Sequence, residues 1–466
     1  MTGVMGMLNE KKGWLGLSAR NWMVLLLFFV AIYVNRVSAQ NFTALFFGVR
    51  MPFVMRDAVD QLRDRDLTAA PAWRLHAFAA AWLVVTTLLN WRVDYEWLLK
   101  LWYVVACWFY MGFAPRNADA DELRRQLFTV GMLFVCGLLP LFLLALASIF
   151  TGRLMYVPFI DNPIGIQKTG KIGGYITILQ HHNVDARFAA FCVLFSVYGI
   201  ITRKSRVLRA FLGFDILVSL MVLAHTQSRS SGIGLSLALG ALAFRAAYLR
   251  FAGKRWRMLA AALAVALTFA VVLSGVNLIY RADIRVGRLL KADQRKADGS
   301  LSAKKKATNA IQSHADKSGQ FGMFSNGRDK IWLDTLTYLK DHPRCLITGI
   351  GGTGDASYAK VVAEHERIAK YTGYHNSYLT ALAIGGLPAL LAMLAFLCLM
   401  VRPCLRVLLH PGEGNRGLCV VPAFILMLVL VAVPEQIILV RAGYANLLFY
   451  FMCGIARQAD WLIGKE

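Results

Sequence analysis

Long apolar segments are the feature that most constrains the fold of this chain. They fill residues 20–280 and 374–458, and a helix needs about 20 apolar residues to cross the hydrocarbon core of a bilayer. The composition agrees, because 57% of the residues are hydrophobic and only 17% are charged. A soluble domain is usually about 25% charged. We therefore predict an all-α, polytopic membrane protein.

The apolar pattern predicts about twelve transmembrane helices. They cover residues 21–35, 41–55, 75–90, 96–114, 127–150, 176–201, 208–225, 231–248, 258–280, 376–400, 418–434 and 442–457. The chain then divides into nine helices within residues 1–280, a polar loop over 281–373, and three helices with a C-terminal tail over 374–466.

The net charge of +24 reflects topology rather than nucleic-acid binding. Basic residues are concentrated in every second short loop between the predicted helices, and the remaining short loops contain few of them. Such a bias marks the cytoplasmic side of a membrane protein. It predicts that both termini are cytoplasmic and that the loop 281–373 lies outside. We predict no nucleic-acid partner, and the sequence specifies no oligomeric state.

The outer loop has internal structure in its sequence. Residues 291–320 are polar and rich in Lys and Ala. A helical pattern follows, with Trp332, Leu336 and Leu339 on one face. After a glycine turn, a second amphipathic pattern places five residues on one face: Tyr358, Val361, Val362, His365 and Ile368. We predict two short helices on the outer membrane surface, forming a lid over a lateral opening.

Three short polar motifs share the predicted outer side. They are Ser228-Arg229-Ser230, Gly327-Arg328-Asp329 with Trp332, and His375-Asn376 at the start of a predicted helix. Two Arg side chains can hold a diphosphate through paired hydrogen bonds, and a His can accept a proton. Simpler roles remain open: a headgroup contact for Arg229, an ion pair for Arg328, and a helix cap for His375 and Asn376.

A second group of polar residues is a weaker candidate for binding a substrate. Ionisable groups inside a membrane are costly unless they are paired or line a cavity. An internal network, or a pair between Glu435 and Arg441, is the alternative. The candidates are His181, His182, Asn183 and Arg187 at the start of one predicted helix, and Arg441 near the last outer turn.

In this order, the Ser-Arg-Ser, Gly-Arg-Asp-x-x-Trp and His-Asn motifs resemble the bacterial O-antigen ligase/polymerase superfamily of membrane glycosyltransferases. The resemblance covers about Gly173 to Phe396, together with the helix count and the large outer loop. In its size and in its single large outer loop late in the sequence, the chain is most similar to the ligases that cap lipopolysaccharide. Gly386 fits the first position of a glycine pattern that follows His-Asn in these ligases, whereas Ala389 departs from its second position.

The resemblance implies a C-type glycosyltransferase (GT-C) fold in the inner membrane of a Gram-negative bacterium, with the active site facing the periplasm. It implies that the donor is a glycan on undecaprenyl diphosphate and that the acceptor is lipid A–core. Membrane lipids would surround the protein. Arg229 and Arg328 would bind the diphosphate, and His375 would act as the base of an inverting single displacement. This chemistry needs no cofactor and no metal ion.

Three other functions remain open. An O-antigen polymerase would use a second lipid-linked repeat as its acceptor, and an O-linked oligosaccharyltransferase would use a protein Ser or Thr. Both belong to the same superfamily. A polysaccharide or lipid transporter is a different class, and it predicts ionisable or broken segments near the membrane midplane. Here the polar motifs cluster at one membrane face instead, which disfavours a transporter.

Overall fold

The structure is a computed structural model that describes 11 stretches of the chain. These are residues 70–90, 120–151, 164–167, 175–178, 182–226, 228–298, 328–352, 354–369, 373–412, 417–439 and 444–464. Within them the chain is almost entirely helical, and it confirms the predicted all-α, polytopic class.

Twelve α-helices and one small hairpin make up the described residues. The helices are α1 (Ala70–Leu89), α2 (Ala120–Thr151), α3 (His182–Thr202), α4 (Arg206–Thr226), α5 (Arg229–Arg250), α6 (Arg257–Asp298), α7 (Arg328–Asp341), α8 (Pro343–Thr348), α9 (Gly354–Glu364), α10 (Ser377–Leu409), α11 (Val420–Val431) and α12 (Tyr444–Ile463). A 3-10 turn covers Glu366–Ile368, and strands β1 (Gly165–Gln167) and β2 (Tyr175–Thr177) pair antiparallel.

Six of the described helices are long and apolar enough to cross a membrane. They are Ala120–Ser148, His182–Thr202, Arg206–Thr226, Arg229–Arg250, Arg257–Ile279 and Ser377–Leu409. Two shorter apolar helices cover Arg74–Leu89 and Val420–Val431. The predicted helices at 21–35, 41–55 and 96–114 lie outside the described residues.

Several predicted helix boundaries differ from the structure; α2 begins at Ala120 rather than residue 127, and α10 continues to Leu409 rather than residue 400. The helix predicted from residue 176 begins at His182, because Tyr175–Thr177 pairs with Gly165–Gln167 as a strand. Tyr, Ile and Thr all favour strands, which the hydropathy pattern did not register. The apolar part of α6 ends at Ile279, close to the predicted residue 280, but its backbone stays helical to Asp298.

The described chain forms two compact units. One contains the chain up to Gln126 and from Gly327 onward, and the other is Leu127–Asn326. In the second unit α3 packs on α4 and α5 packs on α6. Aromatic rings of α2 and α3 form the centre of this unit, where Phe134 contacts Phe188, Phe191 and Phe195.

Helix α10 is the central element of the first unit, and it is broken near its middle. Gly386 has φ 67° and ψ −170°, and Pro388 follows it. This backbone conformation favours glycine, and Pro cannot donate the next helical hydrogen bond. The helix predicted over 376–400 therefore consists of two helical segments joined at Gly386.

The carbonyl groups near the break are satisfied by other parts of the unit. The indole Nε1 of Trp82 donates to the Gly385 carbonyl at 2.7 Å, and the Ile350 N–H donates to the Ala383 carbonyl at 2.7 Å. A Cβ added at Gly349 would lie 2.2 Å from the Ile384 carbonyl oxygen, so the glycine turn and α10 touch backbone to backbone.

Helices α7 to α9 pack on the first turns of α10, and α7 and α9 lie within the two amphipathic patterns of the predicted outer loop, although His365 and Ile368 follow the end of α9. Their shared core consists of Ile331, Tyr338, Leu339, Ile350, Tyr358, Val361, Ile368, Tyr374, Leu379, Leu382 and Ala383. The predicted face of α7 is partly wrong. Leu339 is buried, but Leu336 is 50% exposed, because Asp334 and Thr335 occupy the buried face instead.

Candidate functional site

Arg328 is the first residue of α7, and it forms an ion pair with Glu435. Its Nη2 donates to Glu435 Oε1 at 2.9 Å, and its Nη1 donates to the Pro434 carbonyl. The two charged side chains are only 15% and 10% exposed. Arg328 therefore joins the start of the outer helices to the turn that follows α11, more than a hundred residues further along the chain.

The same turn also holds the start of α10. The Ser377 hydroxyl donates to the Glu435 carbonyl at 3.0 Å and accepts the N–H groups of Ile437 at 2.9 Å and Ile438 at 3.2 Å. The Ser377 N–H donates to the Ala432 carbonyl at 2.9 Å. Through Glu435, the Arg328 side chain and the beginning of α10 share one anchoring segment.

His375 lies two residues before Ser377 and has a left-handed backbone, with φ 48°. A positive φ is uncommon outside glycine, although His adopts it more readily than most residues. Such conformations persist where the surrounding structure holds them, and they gather at functional sites. The imidazole is partly exposed at the point where the outer helices meet α10.

The residues on both sides of His375 are fixed. The buried Tyr374 accepts a hydrogen bond from Trp332 Nε1 on its carbonyl at 3.2 Å, and its hydroxyl donates to Ser357 Oγ at 2.9 Å. Asn376 caps α10, with its Oδ1 accepting the Leu379 N–H at 2.9 Å. The cap considered as an alternative for Asn376 is therefore present, and these contacts set the direction of His375.

Arg229 belongs to the second unit, where it begins α5 and is exposed. Ser228 precedes it as the N-cap, and the Ser228 hydroxyl lies 3.3 Å from the hydroxyls of both Ser230 and Ser231. The serines of this motif thus organise the turn between α4 and α5. The Arg229 side chain extends from that turn at a helix N-terminus, which attracts anions.

The other predicted binding residues fall into two groups. His181 and Arg441 lie outside the described residues. His182, Asn183 and Arg187 occupy the first turns of α3, where Asn183 and Arg187 are buried. Beside them the fully buried Asp185 accepts the Ile178 N–H at 2.8 Å, which fastens the end of the β-hairpin to α3.

Glu435 is the residue whose partner the sequence did not identify. The structure pairs its carboxylate with Arg328, and the pair with Arg441 considered as an alternative lies outside the described residues. A usable signal was present, since Glu435 is an acidic residue in a strongly apolar stretch beside Pro434. Among the described residues, no three His, Cys, Asp or Glu side chains come together as a metal site.

Comparison with known protein families places part of the chain in one family. Residues 216–394 match the family model described as O-antigen ligase. This match, over part of the chain, supports membership of the O-antigen ligase superfamily. The matched region runs from α4 into α10, so it includes Arg229, Arg328 and His375 and ends before Glu435. A search of curated proteins finds no match to this superfamily member.

Proposed function

We propose that this member of the superfamily is an O-antigen ligase. It transfers O-polysaccharide from undecaprenyl diphosphate to a sugar hydroxyl of lipid A–core, which gives mature lipopolysaccharide. The observation that carries the proposal is His375, held in a left-handed conformation between a buried Tyr374 and the capped start of α10. Arg328 is fastened to the same anchoring turn as α10.

The reaction we infer is a single displacement. His375 accepts the proton of the acceptor hydroxyl as that oxygen attacks the anomeric carbon of the donor sugar. The bond between this carbon and the diphosphate oxygen breaks, and undecaprenyl diphosphate leaves with the bonding electrons. Arg328 and Arg229 stabilise the negative charge that develops on the leaving group. One displacement inverts the configuration at the anomeric carbon.

The surroundings of this reaction follow from the same proposal. The protein lies in the inner membrane of a Gram-negative bacterium, has a GT-C fold, has both termini in the cytoplasm, and exposes the site to the periplasm. We expect six further residues to contact the substrates: Asn376, His181, His182, Asn183, Arg187 and Arg441. The two guanidinium groups supply the positive charge, so we expect transfer by purified protein to continue in EDTA.

A lipopolysaccharide gel of a deletion strain, beside its parent and a complemented strain, tests the proposed function. Lipid A–core without O-antigen, together with long polymer left on the lipid carrier, is the expected result. A single repeat attached to the core would identify a polymerase instead. An unchanged ladder would contradict both activities and favour transfer to protein.

A further inference from the structure

We propose that Glu435 is a positioning residue that holds Arg328 ready for the diphosphate of the donor. This inference rests on the proposed function and adds a residue that lies outside the matched family region. Glu435 acts through Arg328 and does not itself touch the substrate.

The ion pair between Arg328 and Glu435 is mostly buried. Arg328 and Glu435 are 15% and 10% exposed, so water screens their attraction less than it would at the surface. Removing one partner of such a pair leaves the other charge without compensation. The guanidinium group also donates to the Pro434 carbonyl, so two neighbouring acceptors fix its plane.

Arg328 has more hydrogen-bond donors than its two described partners use. A guanidinium group has five N–H groups in a rigid fork. The contacts with Pro434 and Glu435 each use one, so the described partners leave three for another ligand. A phosphate takes such donors in pairs, which requires the fork to be oriented beforehand. Glu435 supplies this orientation in the absence of substrate.

The side chain and the backbone of Glu435 have separate partners. Its carboxylate binds Arg328, whereas its carbonyl accepts the Ser377 hydroxyl at the start of α10. A substitution at residue 435 therefore removes the contact with Arg328 but keeps the acceptor for Ser377. The effect on the diphosphate can be measured while the support of His375 stays in place.

The experiment measures binding of undecaprenyl diphosphate to the full-length protein in lipid nanodiscs. The variants are Glu435→Ala, Glu435→Gln, Arg328→Ala and the double variant. We expect Glu435→Ala to raise the Kd about tenfold, because the Arg328 side chain is then no longer oriented beforehand and must be ordered when the ligand binds. Gln retains an oxygen acceptor for Nη2, so Glu435→Gln should change the Kd by less than about threefold. The double variant should match Arg328→Ala.

A matched control separates positioning from general loss of an ion pair. Arg406 Nη1 and Asp460 Oδ1 also form a pair at 2.9 Å in the same unit, and Asp460→Ala should leave the Kd unchanged. In the transfer assay, Glu435→Ala should raise the KM for the donor and leave the KM for the acceptor unchanged. A purely structural role would lower the fraction of active protein and leave both KM values unchanged.

The outcomes distinguish this inference from the proposed function. Wild-type protein that does not bind undecaprenyl diphosphate would contradict the proposed function itself. Normal binding by wild type and equally by Glu435→Ala would contradict only the positioning role. Independent effects of Glu435→Ala and Arg328→Ala in the double variant would also contradict it, because the two residues would then act separately.

Discussion

At the scale of single residues, His375 combines a chemical role with an unusual backbone. Its φ of 48° limits the residues that can replace it without strain, and Asn is the non-glycine residue that tolerates this region best. We expect His375→Asn to keep the thermal stability of wild type and to lower the transfer rate at least about 100-fold, the lower range for loss of a general base. Thermal unfolding in detergent and a transfer assay measure the two effects.

His375→Val is the control for the conformational part of this prediction. A β-branched residue fits a positive φ poorly, so this variant should lose both stability and activity. Transfer by His375→Asn at a rate near that of wild type would show that His375 is not the base.

Asn376 gives a second prediction at this scale. Its Oδ1 caps α10, and replacing such a cap by Ala costs about 1 kcal/mol of stability. We expect Asn376→Ala to lower the unfolding temperature and Asn376→Asp to restore it, because an Asp carboxylate accepts the same Leu379 N–H. Thermal unfolding of the three proteins tests this. If Asp fails to restore stability, the cap is not what the side chain contributes.

The residues of the site differ in how far their sequence predicts them. His375 and Asn376 stand together before an apolar run, so their place at the mouth of a helix follows from local sequence. The partner of Arg328 does not, because Glu435 lies 107 residues further along the chain. Only the packing of the outer helices against the turn after α11 brings these two charges together.

At the scale of elements, the break in α10 depends on Gly386. A Cβ added at Gly386 would lie 2.2 Å from the Ile347 carbonyl oxygen, and the Gly386 φ is 67°. Neither the clash nor the backbone conformation can relax cheaply, since both involve main-chain atoms. We expect Gly386→Ala to destabilise the protein by at least about 3 kcal/mol, seen as a large drop in unfolding temperature.

Gly275→Ala is the matched control, because this glycine lies inside α6 and an added Cβ meets nothing within 4 Å. The same change should be neutral there or stabilise by up to about 1 kcal/mol. Equal effects at the two positions would show that the backbone contact between α8 and α10 is unimportant.

The hydropathy pattern predicted where the helices lie, but it did not predict where a strand pairs or where a helix is interrupted. Long apolar runs predicted α3 to α6 and α10 because burial in lipid is the dominant requirement. The same runs did not show that Tyr175–Thr177 pairs as a strand, nor that Gly386 divides α10. The strand depends on pairing with Gly165–Gln167, and the break depends on the backbone of Gly386 and on Pro388, neither of which a hydropathy pattern registers.

At the scale of the whole molecule, the charge distribution predicts a membrane topology that thiol labelling can test. Cys345 in α8 belongs to the loop predicted outside, and Ser205 lies exposed in the turn between α3 and α4, predicted inside. In intact cells, a small membrane-impermeant thiol reagent should label a variant whose only cysteine is Cys345. A variant whose only cysteine comes from Ser205→Cys should react only after permeabilisation.

The pH dependence of this labelling checks that the reaction occurs at the folded site. Burial raises the pKa of the Cys345 thiol above its ordinary value near 9.0, Lys360 and Arg344 lower it, and Glu364 raises it further. A raised pKa means that less reactive thiolate is present at any given pH. The labelling rate of the folded protein should therefore keep rising beyond pH 9, whereas that of the denatured protein should level off at a lower pH.

Labelling of the Ser205→Cys protein, but not of Cys345, in intact cells would reverse the proposed topology. It would place the site on the cytoplasmic side, away from a periplasmic glycan donor.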